Sequence, residues 1–170
     1  MLFKLLKMSS LFLFPLVLSS ISLKANELDI KQNQITYLIT VTENEPSIAQ
    51  VTMKFTPQDS ILYMDGSARA FDNSWGHFLH DIRAYDSQKN KIAIEQLEGP
   101  KWKIDADQTS PITVAYNVHL THTDHKWSGG IDGVAYPTEY GVFYTGRTLF
   151  MVNGTQRDAI SVGFDLPKNW

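Results

Sequence analysis

The sequence predicts an all-β fold, an antiparallel β-sandwich with at most one short helix, preceded by a signal peptide. Three observations carry this. Apolar residues recur at every second position over long stretches, so each stretch turns one face to a core. Pro, Gly, Asn, Asp and Ser cluster between those stretches, as they do in tight turns. The opening differs from the rest: Lys4 and Lys7 stand before an apolar run over residues 11–18, and Ser19, Ser20 and Ser22 follow it.

That opening has the basic, apolar, small order of a secretory signal. Its apolar run is shorter than the roughly 20 residues a membrane span needs. Residues 1–25 are read as a signal peptide, with cleavage after Ser22 or after Ala25, and residues 26–170 as one domain. A secreted or periplasmic location is expected, with membrane attachment only through an uncleaved leader. The net charge is −3, and loss of the leader removes Lys4, Lys7 and Lys24 and no acid, which takes it to −6. A domain of that sign lacks the basic footprint that nucleic acid requires. The chain has no cysteine. That excludes a thiol nucleophile, a thiolate zinc site and an iron–sulfur centre. The fold must then rest on core burial, for which a domain of about 145 residues is large enough.

The elements follow in order. Ile35, Tyr37, Ile39 and Val41 alternate with Thr36 and Thr40; Ala49, Val51, Met53 and Phe55 alternate with Gln50, Thr52 and Lys54. Each set is a half-buried strand, and residues 43–47 with Pro46 form the turn between them. A short strand is expected over 61–64, after a turn at 57–60. Trp75, Phe78, Leu79 and Ile82 then fall at helical spacing behind Asp72, Asn73 and Ser74, yet Phe78, His80, Ile82 and Ala84 also alternate. The reading is a helical turn near 74–79 that runs into a strand near 80–86. Short strands follow over 91–96 and 101–104, with turns at 87–90 and 98–100. Trp102 lies between Lys101 and Lys103 and so points inward. Ile112, Val114, Tyr116, Val118 and Leu120 make another long alternation. Strands over 141–144, 148–152 and 160–166 complete the set, with turns at 128–133 and 153–154.

Motifs for chemistry are scarce. No His-Glu-x-x-His helix, Gly-x-Ser-x-Gly elbow or phosphate-cradling glycine loop is present. The carboxylates of Asp65, Asp72, Asp81, Asp86, Glu95 and Glu98 are scattered, as solvated surface acids are. His119 and His122 differ by an odd number and face opposite sides of a strand. His119 and His125 share a face but stand roughly 20 Å apart along it, whereas zinc needs its ligands within about 2.1 Å. His77 and His80, with Asp81 beside them, could share a ligand on one helical turn, but no third residue converges on them. Trp127 precedes Ser128, Gly129 and Gly130, and an aromatic on such a loop can stack on a ligand or close one end of the sandwich. Asn153, Gly154 and Thr155 form a glycosylation sequon by pattern.

One ordered set of spacings adds to this. Gly141-x-Phe143-x-x-Gly146-x-x-Leu149-Phe150 resembles the end of the N-terminal domain of the glycyl aminopeptidase family, peptidase family sixty-one. Ile82-x-Ala84-x-Asp86 with Lys91-Ile92, then Trp102, then Ile112-x-Val114-x-Tyr116-x-Val118, are similar to that domain in order. So is the closing Leu166-Pro167-Lys168-Asn169-Trp170. The chain departs from the family at Met64-Asp65-Gly66, where many members carry a Trp-x-Pro-Gly turn. The resemblance implies a β domain that precedes a thermolysin-like zinc catalytic domain and then a PDZ domain. It also implies hydrolysis of a peptide bond next to a small N-terminal residue such as glycine. None of the zinc or base residues maps onto this sequence. The implied role is a non-catalytic module that packs on the catalytic metallopeptidase domain, in cis or as a neighbouring gene product, and walls its peptide cleft. No cofactor is expected in this chain, and zinc only in the downstream domain. Trp127, Tyr136 and Tyr140 are the expected partner or cleft contacts, because glycine-borne aromatics make good anchors. The alternatives are a free-standing envelope or glycan-binding module that uses an exposed Trp75 or Trp127, and a small metalloenzyme that uses His77 and His80.

Overall fold

A computed structural model describes residues 33–120, 135–168 and 170. The chain is mostly β. Its strands are β1 (Gln34–Thr42), β2 (Glu45–Phe55), β3 (Ile61–Tyr63), β4 (Leu79–Tyr85), β5 (Lys91–Ile92), β6 (Ile94–Gln96), β7 (Lys101–Ile104), β8 (Ile112–His119), β9 (Tyr136–Thr138), β10 (Gly141–Phe143) and β11 (Ala159–Asp165). Six form one sheet in the order β11-β1-β2-β8-β4-β5, three form a second in the order β3-β7-β6, and β9 and β10 make a hairpin.

The period-two stretches become the centre of the large sheet. Ile35, Tyr37, Ile39 and Val41 of β1 are buried, as are Ala49, Val51, Met53 and Phe55 of β2 and Ile112, Val114, Tyr116 and Val118 of β8. Leu62, Trp102 and Ile104 of the second sheet join the same hydrophobic cluster. Trp102 therefore points inward, as its place between two lysines predicts. The turn at 74–78 is a 3-10 turn, and it feeds β4 directly. A Cβ on Gly76 would stand 2.7 Å from the Trp102 ring, so only glycine lets this turn lie on the tryptophan.

Several elements differ from expectation, each for a physical reason. The sheet is mixed, not antiparallel, because β11 runs parallel to β1. The turn at Glu43 and Asn44 returns β2 along one edge of β1, which leaves the other edge for the last strand. That strand enters from the end where β1 begins, with Asp158 N–H donating to Asn33 O at 3.0 Å. Pro46 lies inside β2 and not in a turn; it sits between the last β1 pair and the first β8 pair, where no ladder needs its missing N–H. Residues 91–96 divide at Ala93, because β5 pairs with β4 in the large sheet and β6 with β7 in the small one. β9 was not expected; its Pro137 argues against a strand, but in a two-stranded hairpin one side of it stays open.

Residues 148–152 are not a strand. Thr148 Oγ donates to Thr145 O at 2.8 Å and Phe150 N–H to Gly146 O at 3.0 Å, which closes a single turn of helix, α1 (Gly146–Leu149). With the 3-10 turn this makes two helical pieces among the described residues, where at most one was expected. Val152 alone bridges to Tyr63.

Candidate functional site

The spacing from Gly141 to Phe150 ends in a segment threaded through the core. Leu149 and Met151 are fully buried. Tyr37 donates its hydroxyl to Met151 O at 2.7 Å, and Tyr116 donates to Leu149 O at 2.8 Å while it accepts Met151 N–H at 3.0 Å. Two tyrosines on β1 and β8 thus take the place of the ladder that this stretch lacks. Burial drives both phenols far above their ordinary range, so both stay protonated donors. Phe150 packs on the Tyr37 ring, with centroids 4.6 Å apart.

A second polar knot follows. Asn153 is 1% exposed. Its amide donates to Asp59 O at 2.9 Å and Ile61 O at 2.8 Å, and its oxygen accepts Gln58 N–H at 2.7 Å. Arg157 donates back to Asn153 O and forward to Thr56 O, and lies over the Phe55 ring. The sequon therefore labels a structural asparagine with both amide hydrogens engaged inside the fold, not a glycan acceptor.

The expected contact residues are distributed as follows. Trp127 lies outside the described residues. Tyr136 opens β9, and Tyr140 sits at the hairpin tip, 78% exposed. Thr138 Oγ pins that tip, accepting Tyr140 N–H at 3.2 Å and donating to Gly141 O at 3.0 Å. Trp75 is not exposed, so it cannot carry a binding module's ligand. It is 3% exposed, donates its indole N–H to Ser67 Oγ at 3.0 Å, and carries the Arg147 guanidinium 5.6 Å from its ring centre. Ser67 is held in turn by the Asp65 carboxylate, whose pKa falls chiefly through the Ser67 hydroxyl. The Met64-Asp65-Gly66 departure thus builds a seat for Trp75.

The histidines do not converge as a ligand set. His77 stacks on Phe71 and His80 stacks on His119, with ring centroids 4.4 Å and 3.8 Å apart. His122 and His125 lie outside the described residues. Among the described residues no group of three His, Asp or Glu could hold a metal ion. Next to His80, Asp81 and Ile82 together oppose Tyr116 in a β-bulge, and Asp81 takes a φ of 53°. Its carboxylate accepts from the Asn117 amide at 3.1 Å. Gln50, Thr52, Asp81, Arg83, Ala115 and Asn117 line a shallow open dip on this outer face.

Desolvation, helped by the neighbouring His119, lowers the His80 pKa despite the opposing Asp81 charge. The folded state thus binds this proton less readily than the unfolded chain. Stability contributed by neutral His80 is present above its ordinary pKa of about 6.5 and is lost as pH falls through the lower folded value. The melting temperature is expected to drop between pH 7.5 and pH 5, with a shallower drop in His80→Gln. Equal slopes in the two proteins would refute this.

Sequence reasoning missed one surface. Ile160, Val162 and Phe164 of β11 are in register with Ile35, Tyr37 and Ile39, the core row of β1. They are nevertheless 64%, 40% and 47% exposed. The alternation in residues 160–166 was legible; that its apolar face stays exposed, with no covering layer among the described residues, was not.

A family model described as the peptidase M61 N-terminal domain matches residues 73–170. Among solved structures, an aminopeptidase N family protein from Idiomarina loihiensis is similar, with a TM-score of 0.61 at 16% identity over 79% of this chain. The chain spans 22% of that structure's length, and at this identity the likeness speaks to the fold. No curated protein matches the chain.

Proposed function

The chain belongs to the peptidase M61 family through its N-terminal domain, and from that premise we propose that it is the non-catalytic β-sandwich module of a secreted or periplasmic zinc aminopeptidase. The observation that carries this reading is the family match over residues 73–170. In this reading the module packs on the catalytic domain and walls one side of the cleft that receives a peptide with a small N-terminal residue. Zinc belongs to that catalytic domain, where it would polarise the scissile carbonyl and activate water. The module contributes shape and contact through Trp127, Tyr136 and Tyr140. The exposed ring of Tyr140 on a pinned hairpin tip is the kind of rigid anchor such a contact uses.

The test is binding of the purified chain to a separately produced M61 catalytic domain, followed by calorimetry. The combined change Trp127→Ala and Tyr140→Ala is expected to weaken binding roughly tenfold or more. Unchanged affinity would remove the assigned contact, and no binding by the wild-type chain would remove the reading.

A further inference from the structure

We propose that the uncovered side of β11, formed by Ile160, Val162 and Phe164, is the seam on which the catalytic domain packs. The inference rests on the functional reading above and names the surface through which it would act.

The sheet itself supplies the first argument. In a parallel pair, residues in register share a face. Ile160, Val162 and Phe164 therefore extend the row that buries Ile35, Tyr37 and Ile39 to 1–3% exposure, yet they remain in solvent. Among the described residues this is a core face without its second layer, not a scatter of single surface hydrophobics. The row is also continuous with the interior. Phe164 lies 5.9 Å from the Tyr144 ring, Tyr144 lies 6.0 Å from Phe150, and Phe150 lies 4.6 Å from Tyr37. A partner seated on Phe164 would touch a chain of rings that ends at the buried Tyr37 hydroxyl.

The strand is an edge as well. Among the described residues β11 pairs with β1 alone, which leaves the N–H and C=O groups of its other side without a ladder partner there. The segment is rich in β-formers and contains no proline. An edge of this kind is ordinarily blunted or covered.

Two observations choose the occupant. The similar structure is more than four times as long as its shared part, so there a fold of this type belongs to a longer chain, and the matching family model describes an N-terminal domain. β11 is the last strand among the described residues, so a domain that followed an N-terminal one would start beside it.

The experiment measures the purified chain against a separately produced M61 catalytic domain. Ile160→Lys and Phe164→Glu are expected to weaken binding at least tenfold each, by an order of magnitude typical of central contacts. Leu38→Glu, on the opposite face of the same sheet, is expected to leave affinity within about twofold. Circular dichroism of each variant checks the fold, and two separate positions guard against a local effect. Wild-type affinity in both β11 variants would overturn the seam while the functional reading stands. Absence of binding by the wild-type chain would overturn both. A wild-type dimer by light scattering that becomes a monomer in Phe164→Glu would assign the surface to a second copy and overturn the proposal.

Discussion

Tyr116→Phe is expected to destabilise the domain by about 3 kcal/mol, the sum of two orphaned backbone groups at roughly 1–3 kcal/mol each. The hydroxyl is the partner of both Leu149 O and Met151 N–H, and among the described residues no ladder pairs with residues 149–151 to replace it. In a domain of this size the melting temperature should fall by roughly 10 °C. Tyr37→Phe removes a single bond, to Met151 O, and should cost about half as much. The double variant should cost less than the two added, because both hydroxyls act on the same three residues. Urea unfolding with an unchanged m-value measures all three. The effects should be independent of pH through the neutral range, since burial keeps both phenols protonated. A Tyr116→Phe protein within about 0.5 kcal/mol of the wild type would show that the segment finds other partners.

Asn153→Ala is expected to cost about 4 kcal/mol, through the loss of a fully connected buried amide. Three backbone groups lose their partner at once: Asp59 O, Ile61 O and Gln58 N–H. Arg157 loses its bond to Asn153 Oδ1 but keeps those to Asn153 O and Thr56 O, so its guanidinium stays hydrogen-bonded. Asn153→Asp tests the direction of donation. It has the same shape and keeps the acceptor for Gln58, but it sets a carboxylate oxygen against two carbonyls and should be destabilised too. Equilibrium unfolding compares the variants. Full stability in Asn153→Asp would mean that the amide hydrogens contribute little.

Both sites show how the sequence could be read. Tyr116 was legible as an inward residue of an alternating strand, and Asn153 as part of a turn. Their hydrogen-bond partners lie 33 and 94 residues away in the chain, and no local pattern encodes such a pairing. The surroundings of the sequon and of the histidine pair were hidden for the same reason. Sequence spacing cannot tell that Asn153 is sealed behind β3, or that His80 meets His119 of β8 and not His77. Residues 148–152 look like a strand because they are apolar, but Thr148 returns to Thr145 and closes a turn first. The family resemblance was carried by ordered spacings, and those spacings prove to be mainly packing positions: Leu149 in the core, Trp102 beneath the 3-10 turn, and Val114 and Tyr116 at the centre of the large sheet.

By itself the sequence determined the local periods. Alternation settles which face of β1, β2 and β8 is buried, because successive side chains of a strand must point to opposite sides. Turn residues determined roughly where strands end, because few residues tolerate the required dihedral angles. The tertiary structure alone decided what stands opposite each face. It set β11 beside β1 in parallel, divided residues 91–96 between two sheets, and left Ile160, Val162 and Phe164 facing solvent. Those outcomes depend on contacts between distant parts of the chain, whose free energy comes from shared burial and not from any segment's own preference.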